Sequence, residues 1–350
     1  MKKTSSGNFF EDFTVGQVIR HATPRTVTEA DCTLYTALYG PRFAVQSSAA
    51  FARSIGYSTA PIDDLLVFHI VFGKTVPDIS LNAVANLGYA DCRFLQPVFP
   101  GTTLHAVSEV IGARENSNGK TGVVYVRSKG YRDDNVCVLD YVRWVMVRKR
   151  DPASPAPEPV VPELASVVAA DMLGGALPNL DMGGWDDALA GSPNRWGDYA
   201  VGEKIDHVDG MTIEEAEHQM ATRTYQNTAK VHFNQMSESQ GRFGRRLIYG
   251  GHVISLARAL SFNGLQNAFH IAAINGGRHV APCFAGDTIF AWSEVLDKAA
   301  LPGKSGLGAL RLRLVATKNR TCADYPDKDD AGKDDSNVIL DLDYWAVMPK

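Results

Sequence analysis

Two segments of the chain carry apolar residues at the spacing of an α-helix. The first covers residues 65–72 and is followed by Gly73. The second begins after Gly250 and Gly251 and stops at Asn263. Apolar side chains that recur every three or four residues are typical of a helix, and glycine or asparagine often marks its end. We therefore predict one buried helix in each half of the chain, the first of them ending at Gly73.

Segments rich in β-branched and alternating apolar residues follow each predicted helix, as expected of strands that bury one face. Residues 116–119, with the sequence Asn-Ser-Asn-Gly, are typical of a tight turn between two such strands. One helix followed by an antiparallel meander, formed twice, predicts an α+β fold. The strand segments are 123–126, 136–147, 310–315 and 338–348.

The second half of the chain repeats the first. A block that starts at Arg93 returns at Arg278, 185 residues later, and the last strand returns after 201 residues. An offset that grows toward the C-terminus requires an insertion in the second copy. The acidic stretch between Lys318 and Asn337 has the composition of such an inserted, solvated loop. Further matches, all at an offset of 186 residues, are Gly16 with Gly202, His21 with His207 and Tyr39 with Tyr225.

A proline-rich segment separates the two copies. Residues 151–159 hold four prolines, and proline lacks an amide donor and favours extended backbone. We therefore predict an N-terminal unit over residues 1–150, a proline-rich linker and connection over 151–190, and a C-terminal unit over 191–350.

Composition narrows the classes of protein to be considered. The chain has 35 Lys and Arg against 39 Asp and Glu, a net charge of −4, and no basic stripe typical of a general nucleic-acid binder. Without a long apolar run or a hydrophobic stretch after the N-terminus, we expect neither a membrane span nor a secretory signal. The five scattered cysteines favour free thiols in the cytoplasm. Metal-ligand spacing and nucleotide-binding glycine motifs are lacking, so we expect no metal and no cofactor.

Two short segments of the second copy resemble an enzyme signature. Residues 225–234 read Tyr-Gln-Asn-Thr-Ala-Lys-Val-His-Phe-Asn, and residues 249–252 read Tyr-Gly-Gly-His. They resemble the Asp-x-Asn-Pro-x-His signature and the His-Gly-Met helix opening of the MaoC-like (R)-specific enoyl-CoA hydratases. The resemblance covers nearly the whole chain and is strongest to the mesaconyl-CoA hydratase branch, which has the same Tyr-Gly-Gly-His opening.

This resemblance implies a fold, an activity and an assembly. The fold is two fused hot-dog units, each an antiparallel sheet wrapped round a central helix, and the expected assembly is a homodimer. The expected activity is that of a hydro-lyase that interconverts mesaconyl-CoA and β-methylmalyl-CoA, so that CoA belongs to the substrate and is not a cofactor. A broader (R)-enoyl-CoA hydratase, a thioesterase and a non-catalytic acyl-CoA binder are the alternatives.

The match to the signature places the family's functional groups on three residues. The family's aspartate falls on Asn227, its histidine on His232 and its oxyanion-hole glycine on Gly251. An imidazole exchanges protons near neutral pH, and an amide at a helix start stabilises a developing enolate oxygen. A packed histidine and an ordinary tight turn are the structural alternatives. The substrate-binding candidates are Tyr225, Arg245, Arg246, Gly250 and His252.

The first copy lacks these groups. Pro41 stands opposite Asn227 and Gln46 opposite His232, and neither side chain exchanges protons at neutral pH. Asp63-Asp64 also replaces the paired glycines at the helix opening. We therefore expect a catalytically silent first unit that helps to shape the tunnel for the thioester and CoA, as the resemblance implies.

Asn227 is the main departure from the signature, because an amide is not a base. Mesaconyl-CoA bears a carboxylate on the carbon that receives water, and a neighbouring aspartate would repel it. We interpret Asn227 as a hydrogen-bonding partner of water and carboxylate, which leaves most of the proton transfer to His232; a turn-capping role is the alternative. An arginine suits the free carboxylate. The candidates are Arg242, Arg245, Arg246 and Arg278, although the match of Arg278 with Arg93 favours a structural role for that pair.

Overall fold

One antiparallel sheet of twelve strands extends through both halves of the chain. The computed structural model describes residues 3–175, 177–329 and 331–350. Within these ranges, no helix combines the length and apolar character needed to cross a lipid bilayer. The sheet wraps round two long buried helices, so the α+β expectation is confirmed.

The first half contains six strands and four α-helices, preceded by a 3-10 helix at Phe10–Asp12. The predicted turn at residues 116–119 joins two of the long strands, and Gly119 provides its left-handed backbone, with φ of 63°. The elements are β1 (Val18–Arg20), β2 (Arg25–Thr26), α1 (Glu29–Tyr39), α2 (Ala44–Ser47), α3 (Ala49–Ser54), α4 (Asp64–Ile79), β3 (Ala83–Phe94), β4 (Thr103–Glu115), β5 (Thr121–Arg132) and β6 (Cys137–Arg148).

The second half repeats this order after a long connection. The connection holds 3-10 helices at Ala170–Met172 and Met182–Gly184 and the short helix α5 (Asp187–Ala190), and a further 3-10 helix at Trp196–Asp198 follows. The remaining elements are β7 (Lys204–Asp206), β8 (Met211–Thr212), α6 (Glu215–Thr224), α7 (Lys230–Phe233), α8 (Gln235–Glu238), α9 (Gly250–Leu260), β9 (His270–His279), β10 (Thr288–Ala300), β11 (Leu307–Lys318) and β12 (Val338–Pro349).

Strands β3 and β9 form the seam between the halves. Tyr89 lies opposite Gly277 in this antiparallel pair, and the strand order across the sheet is β1-β4-β5-β6-β3-β9-β12-β11-β10-β7. Repeat-equivalent residues also meet: the hydroxyls of Tyr39 and Tyr225 are hydrogen-bonded at 2.8 Å. Equivalent groups can touch only near a twofold axis, so the halves are related by a pseudo-twofold axis that passes between these tyrosines.

Helices α4 and α9 lie at the centre of the two halves. α4 packs against β4, β5 and β6, and α9 packs against β10, β11 and β12. The predicted end of the first helix at Gly73 was wrong, because α4 continues through Gly73 and Pro77 to Ile79. A Cβ at Gly73 would collide with the carbonyl oxygen of Tyr225 in the second half. Gly73 therefore marks a close approach between the halves rather than a helix end.

The insertion of the second copy lies between β11 and β12, as predicted. It is fastened to the sheet, because Asp327 accepts hydrogen bonds from Arg313 at 2.6 and 2.7 Å. Arg278 pairs with Asp334 of this loop and with Asp341 of β12. In the first half, Arg93 and Arg127 both pair with Asp140. The two arginine clusters thus occupy equivalent positions and support the structural role expected of the matched arginines.

Candidate active site

His232 lies in the short helix α7 and is held in one tautomer. Its Nδ1 lies 2.9 Å from the carbonyl oxygen of Leu247, which can only accept, so Nδ1 carries the hydrogen and Nε2 keeps a lone pair. Burial lowers the pKa of His232 to about 4, although the Leu247 hydrogen bond acts in the opposite direction. The half-buried imidazole is therefore neutral at pH 7 and can accept a proton at Nε2.

Asn227 uses the two ends of its amide differently. Its Oδ1 accepts a hydrogen bond of 3.1 Å from the backbone N–H of Ala229 and thereby caps the turn before α7. Its Nδ2 donates no hydrogen bond to any residue in the described ranges. The side chain is almost fully buried, at 5% exposure. The turn-capping role and a ligand-binding role therefore fall on separate atoms of the same side chain.

Helix α9 begins with two uncapped backbone donors. The N–H groups of Gly250 and Gly251 make no hydrogen bond to another described residue, whereas the N–H of Tyr249 is bonded to Nε2 of His218 at 2.9 Å. A Cβ on Gly251 would lie 2.5 Å from Cε1 of His69 and from Cε1 of Tyr249. The helix start thus presents free donors and the positive end of the helix dipole at a place where no side chain fits.

Buried histidines and tyrosines pack around the start of α9 and form hydrogen bonds with it and with one another. His218 stands edge-on to the ring of His232 at 6.1 Å and to the ring of His252 at 5.4 Å. Burial lowers the pKa of His218 to about 2 and that of His252 to about 3, so both are neutral at pH 7. Nδ1 of His252 lies 2.9 Å from the hydroxyl of Tyr39, which also receives the Tyr225 hydroxyl. Tyr225 and His252 therefore belong to a buried hydrogen-bonded chain.

The first half contributes three side chains to this region. Tyr39 of α1 binds His252, and Nδ1 of His69 of α4 lies 3.4 Å from the hydroxyl of Tyr249. The hydroxyl of Tyr89 of β3 lies 3.4 Å from Nε2 of His279. None of the three was identified from the sequence, although the match of Tyr39 with Tyr225 in the repeat was a signal that the position mattered. The region is built by both halves of the chain.

The candidate arginines differ in their partners. Arg246 forms an ion pair of 2.5 Å with Glu215, and Arg278 is neutralised by the two aspartates described above. The guanidinium of the exposed Arg245 stacks on Phe284 at 3.8 Å. In the ranges that the structure describes, Arg242 and Arg245 have no acidic partner. Of the four candidate arginines, these two therefore keep their charge unpaired in the described structure.

The equivalent region of the first half is filled. Gln46, opposite His232 in the repeat, donates a hydrogen bond of 2.7 Å to the carbonyl oxygen of Phe269. Asp64 at the start of α4 lies 3.0 Å from Nδ1 of His270 and also accepts the N–H of Ile271. Trp185 of the connection packs edge-on against Phe51 at 5.0 Å. Across the described parts of the chain, no three His, Cys, Asp or Glu side chains lie close enough to hold a metal ion.

Comparisons with known proteins agree over the whole chain. The family model for mesaconyl-CoA hydratase matches residues 1–331. The chain is 63% identical over 349 residues to the β-methylmalyl-CoA dehydratase of Chloroflexus aurantiacus, covering 99% of both chains. It is 61% identical over 349 residues to the mesaconyl-CoA hydratase of Cereibacter sphaeroides, covering 99% of this chain and 100% of the relative.

Solved structures show the same architecture. A crystal structure of a MaoC domain protein dehydratase from Chloroflexus aurantiacus superposes with a TM-score of 0.97 at 62% identity, covering 100% of this chain and 99% of that one. A double hot-dog protein of Mycobacterium tuberculosis superposes with a TM-score of 0.77 at 23% identity, covering 99% of both chains. The second likeness concerns the fold alone. The predicted pair of fused hot-dog units is confirmed.

Proposed function

The chain belongs to the mesaconyl-CoA hydratase family, and we propose how its two halves divide the work of that activity. It is a hydro-lyase that adds water to mesaconyl-CoA and removes water from β-methylmalyl-CoA. The observation that carries the proposal is that a neutral His232, fixed by Leu247, lies 5.5 Å ring to ring from Tyr249 at the uncapped start of α9. We propose His232, Asn227 and Gly251 as the catalytic residues.

His232 moves the proton in this proposal. Its Nε2 accepts one proton of water while the oxygen bonds to the carbon that bears the free carboxylate. The electron pair of the double bond moves to the thioester, and the resulting enolate oxygen is stabilised by the N–H of Gly251, with Gly250 beside it. The imidazolium then returns the proton to the α-carbon. A low pKa suits this last step, because an imidazolium in a buried site releases its proton readily.

Asn227 acts as a donor rather than a base. Because its Oδ1 is already bonded to Ala229, the free Nδ2 is the group that can reach substrate. An N–H donor stabilises a water oxygen or a carboxylate, whereas an aspartate at this position would repel the carboxylate. Tyr225 and His252 position α9 through the buried hydrogen bonds that both form with Tyr39.

The CoA part of the substrate requires positive charge at the surface. Arg242 and Arg245 lie in the segment before α9, and their guanidinium groups stack on Phe243 and Phe284. We propose that these two side chains bind CoA phosphates. Arg246 contributes through its ion pair with Glu215, which fixes the same segment to α6.

The first half is structural in this proposal. We assign residues 1–150 to a silent unit, 151–190 to the connection and 191–350 to the unit that carries the active site. Gln46 cannot exchange protons, and Asp64 is engaged with His270 and Ile271. We further propose a homodimer of fused chains located in the cytoplasm, where the five free cysteines would stay reduced. Light scattering of the purified protein tests the dimer.

The activity is tested by following the enoyl-thioester absorbance of purified mesaconyl-CoA and crotonyl-CoA, with free thiol release monitored in parallel. We expect loss of absorbance without thiol release, and a loss of activity of about 10³-fold in His232→Ala. The control is His105→Ala, whose ring stacks on Tyr131 in the first half. Thiol release would indicate a thioesterase, and binding without absorbance change an acyl-CoA binder. Unchanged activity in His232→Ala would remove the site assignment.

A further inference from the structure

The imidazole of His279 lies beside Gly250, the first residue of α9. His279 is the last residue of β9, and its ring lies directly against the Cα of Gly250. A Cβ on Gly250 would collide with this ring. The absence of a side chain at Gly250 therefore makes room for an imidazole, and not only for a thioester.

One nitrogen of this ring is engaged and the other is free. Nε2 lies 3.4 Å from the hydroxyl of Tyr89, a buried residue of the first half. Nδ1 makes no hydrogen bond to a residue in the described ranges, and the side chain is half-buried. When the imidazole is neutral and Tyr89 donates to Nε2, Nδ1 carries the hydrogen; when it is protonated, both nitrogens carry one. In either state Nδ1 is a donor that can reach a ligand.

The two halves differ at this position. The residue equivalent to His279 in the first half is Phe94, which is 4% exposed in the core. A phenyl ring and an imidazole fill similar space, so packing alone does not require histidine here. The ring of His232 lies 5.5 Å from that of Tyr249, and the ring of His279 lies against Gly250, so the two imidazoles border the same space at the start of α9. Burial, and after it the proximity of His232, lowers the pKa of His279 to about 4.

The free carboxylate of the substrate needs a partner in that space. Arg246 and Arg278 are neutralised by acidic side chains, and Arg245 lies exposed on Phe284. Mesaconyl-CoA carries its carboxylate on the carbon that receives water, so the carboxylate must lie close to the proton-exchanging imidazole. A positioned N–H donor at this place discriminates a carboxylate from the methyl group of crotonyl-CoA.

Building on the proposed function, we infer that His279, oriented by Tyr89 of the first half, binds the free carboxylate of the acyl group through Nδ1 and determines the preference for a dicarboxylic substrate. The silent half then contributes to specificity as well as to shape. The substrate class that this pair selects is a CoA thioester of a four- or five-carbon dicarboxylic acid.

The test uses two saturated CoA esters of equal acyl length, which have no double bond to hydrate, so that binding is measured apart from hydration. Succinyl-CoA carries the terminal carboxylate and butyryl-CoA does not. The dissociation constant of each is measured by calorimetry with the wild type and with His279→Phe, which copies the residue of the first half. We expect succinyl-CoA to bind about 30-fold more weakly to the variant, the loss of a hydrogen bond to a charged group, while butyryl-CoA stays within about two-fold.

Two further variants complete the test. His279→Gln keeps a side-chain N–H donor and should retain part of the preference for succinyl-CoA, and Tyr89→Phe should lower it about three-fold because the ring loses its orienting partner. Equal losses for both esters, or none for either, would overturn the assignment of His279. His232→Ala should abolish hydration without changing the preference for succinyl-CoA, so failure of the proposed hydration and failure of this inference give different results.

Discussion

Helices α4 and α9 are equivalent in the fold, yet they begin in opposite ways. α4 starts with Asp63, whose carboxylate accepts the N–H of Leu65, and with Asp64, which joins it to β9. α9 starts with Gly250 and Gly251, whose N–H groups are left without a partner in the described structure. The first half uses its helix start to hold the two halves together, and the second half leaves the donors of its helix start unpaired in the described structure.

The difference shows how the same backbone serves stability or chemistry. A side-chain cap contributes about 1 kcal/mol to a helix and occupies the donors that an anion would need. α9 lacks that contribution; only the N–H of its N-cap residue Tyr249, among the donors described above, has a partner, which is His218. A helix start without a side-chain cap, next to a fixed imidazole, therefore distinguishes the second half, to which we assign the active site, from the first.

The largest effect is expected when the residues at the equivalent positions 232 and 46 are exchanged between the halves. His232→Gln gives the second half the residue that the first half carries at Gln46, and we expect hydration of mesaconyl-CoA to fall about 10³-fold because the amide cannot exchange protons. The reciprocal Gln46→His should leave the rate unchanged. Combining both changes should not restore activity, and a restored rate in the double variant would show that the first half can carry a working site.

A second test introduces a steric clash where the two halves approach each other closely at Gly73. Gly73→Ala places a Cβ against the carbonyl of Tyr225, and we expect a loss of about 2–3 kcal/mol in the free energy of unfolding together with reduced activity. Denaturant unfolding measures the first and the hydration assay the second. Gly197→Ala is the matched control, since nothing lies within 4 Å of a Cβ there. Similar stability of both variants would contradict the close approach.

A third test restores the charge of the family signature. In Asn227→Asp, repulsion between the new carboxylate and that of the substrate should lower activity on mesaconyl-CoA about ten-fold, whereas crotonyl-CoA hydration should hold or rise. Asn234→Asp, at the half-buried N-cap of α8, keeps the side-chain oxygen that accepts the N–H of Ser237 and should change neither rate. Equal or faster turnover of mesaconyl-CoA by Asn227→Asp would exclude repulsion as the reason for the amide.

The smallest expected effect is that of pH on the rate. Because burial lowers the pKa of His232 to about 4, the base is unprotonated throughout the neutral range, and kcat/KM should vary by no more than about two-fold between pH 6 and 8. It should fall only as the pH approaches about 4. A midpoint near the ordinary histidine value of 6.5 would mean that His232 is less buried in the working enzyme.

The same shifts set the pH dependence of stability. His218, His232 and His252 have folded-state pKa values below the ordinary 6.5, so the unfolded chain binds more protons. Stability should therefore be fully present above about pH 6.5 and be lost progressively as the pH falls, first through about 4 for His232 and then toward about 2 for His218. Thermal unfolding across this range checks the direction.

Apolar periodicity predicted the helices and strands, because it is a property of neighbouring residues, and the repeat predicted the two-unit organisation, because it can be read by comparing the two halves of the sequence. The turn at residues 116–119, the long strands and α9 follow from them directly. The helix end predicted at Gly73 was wrong. This position requires glycine because it packs against the carbonyl of Tyr225 in the other half, and a local sequence pattern cannot predict a contact between residues so far apart. For the same reason the extension of α4 through Pro77 was not foreseen.

The site was predictable only where a signature covered it. The signature pointed to Asn227 and His232. In the structure the ring of His232 lies 5.5 Å from that of Tyr249 at the start of α9, and Asn227 caps the turn before α7. The signature gave no information on Tyr39, His69 and Tyr89. These residues belong to the first half and contact the site across the interface between the halves. His279 could have been found by asking why the repeat changes a phenylalanine to a histidine there.

The connection between the halves has a consequence for how such asymmetry can arise. Two identical, separate hot-dog units would carry the same sequence at both helix starts, so a change that silenced one site would silence the other. Joining them in one chain through residues 151–190 lets each helix start mutate independently, while the tether holds the partners at an effective concentration on the order of millimolar. Fusion thus makes heterodimer-like specialisation available to a single polypeptide, without any need to select the right partner from solution.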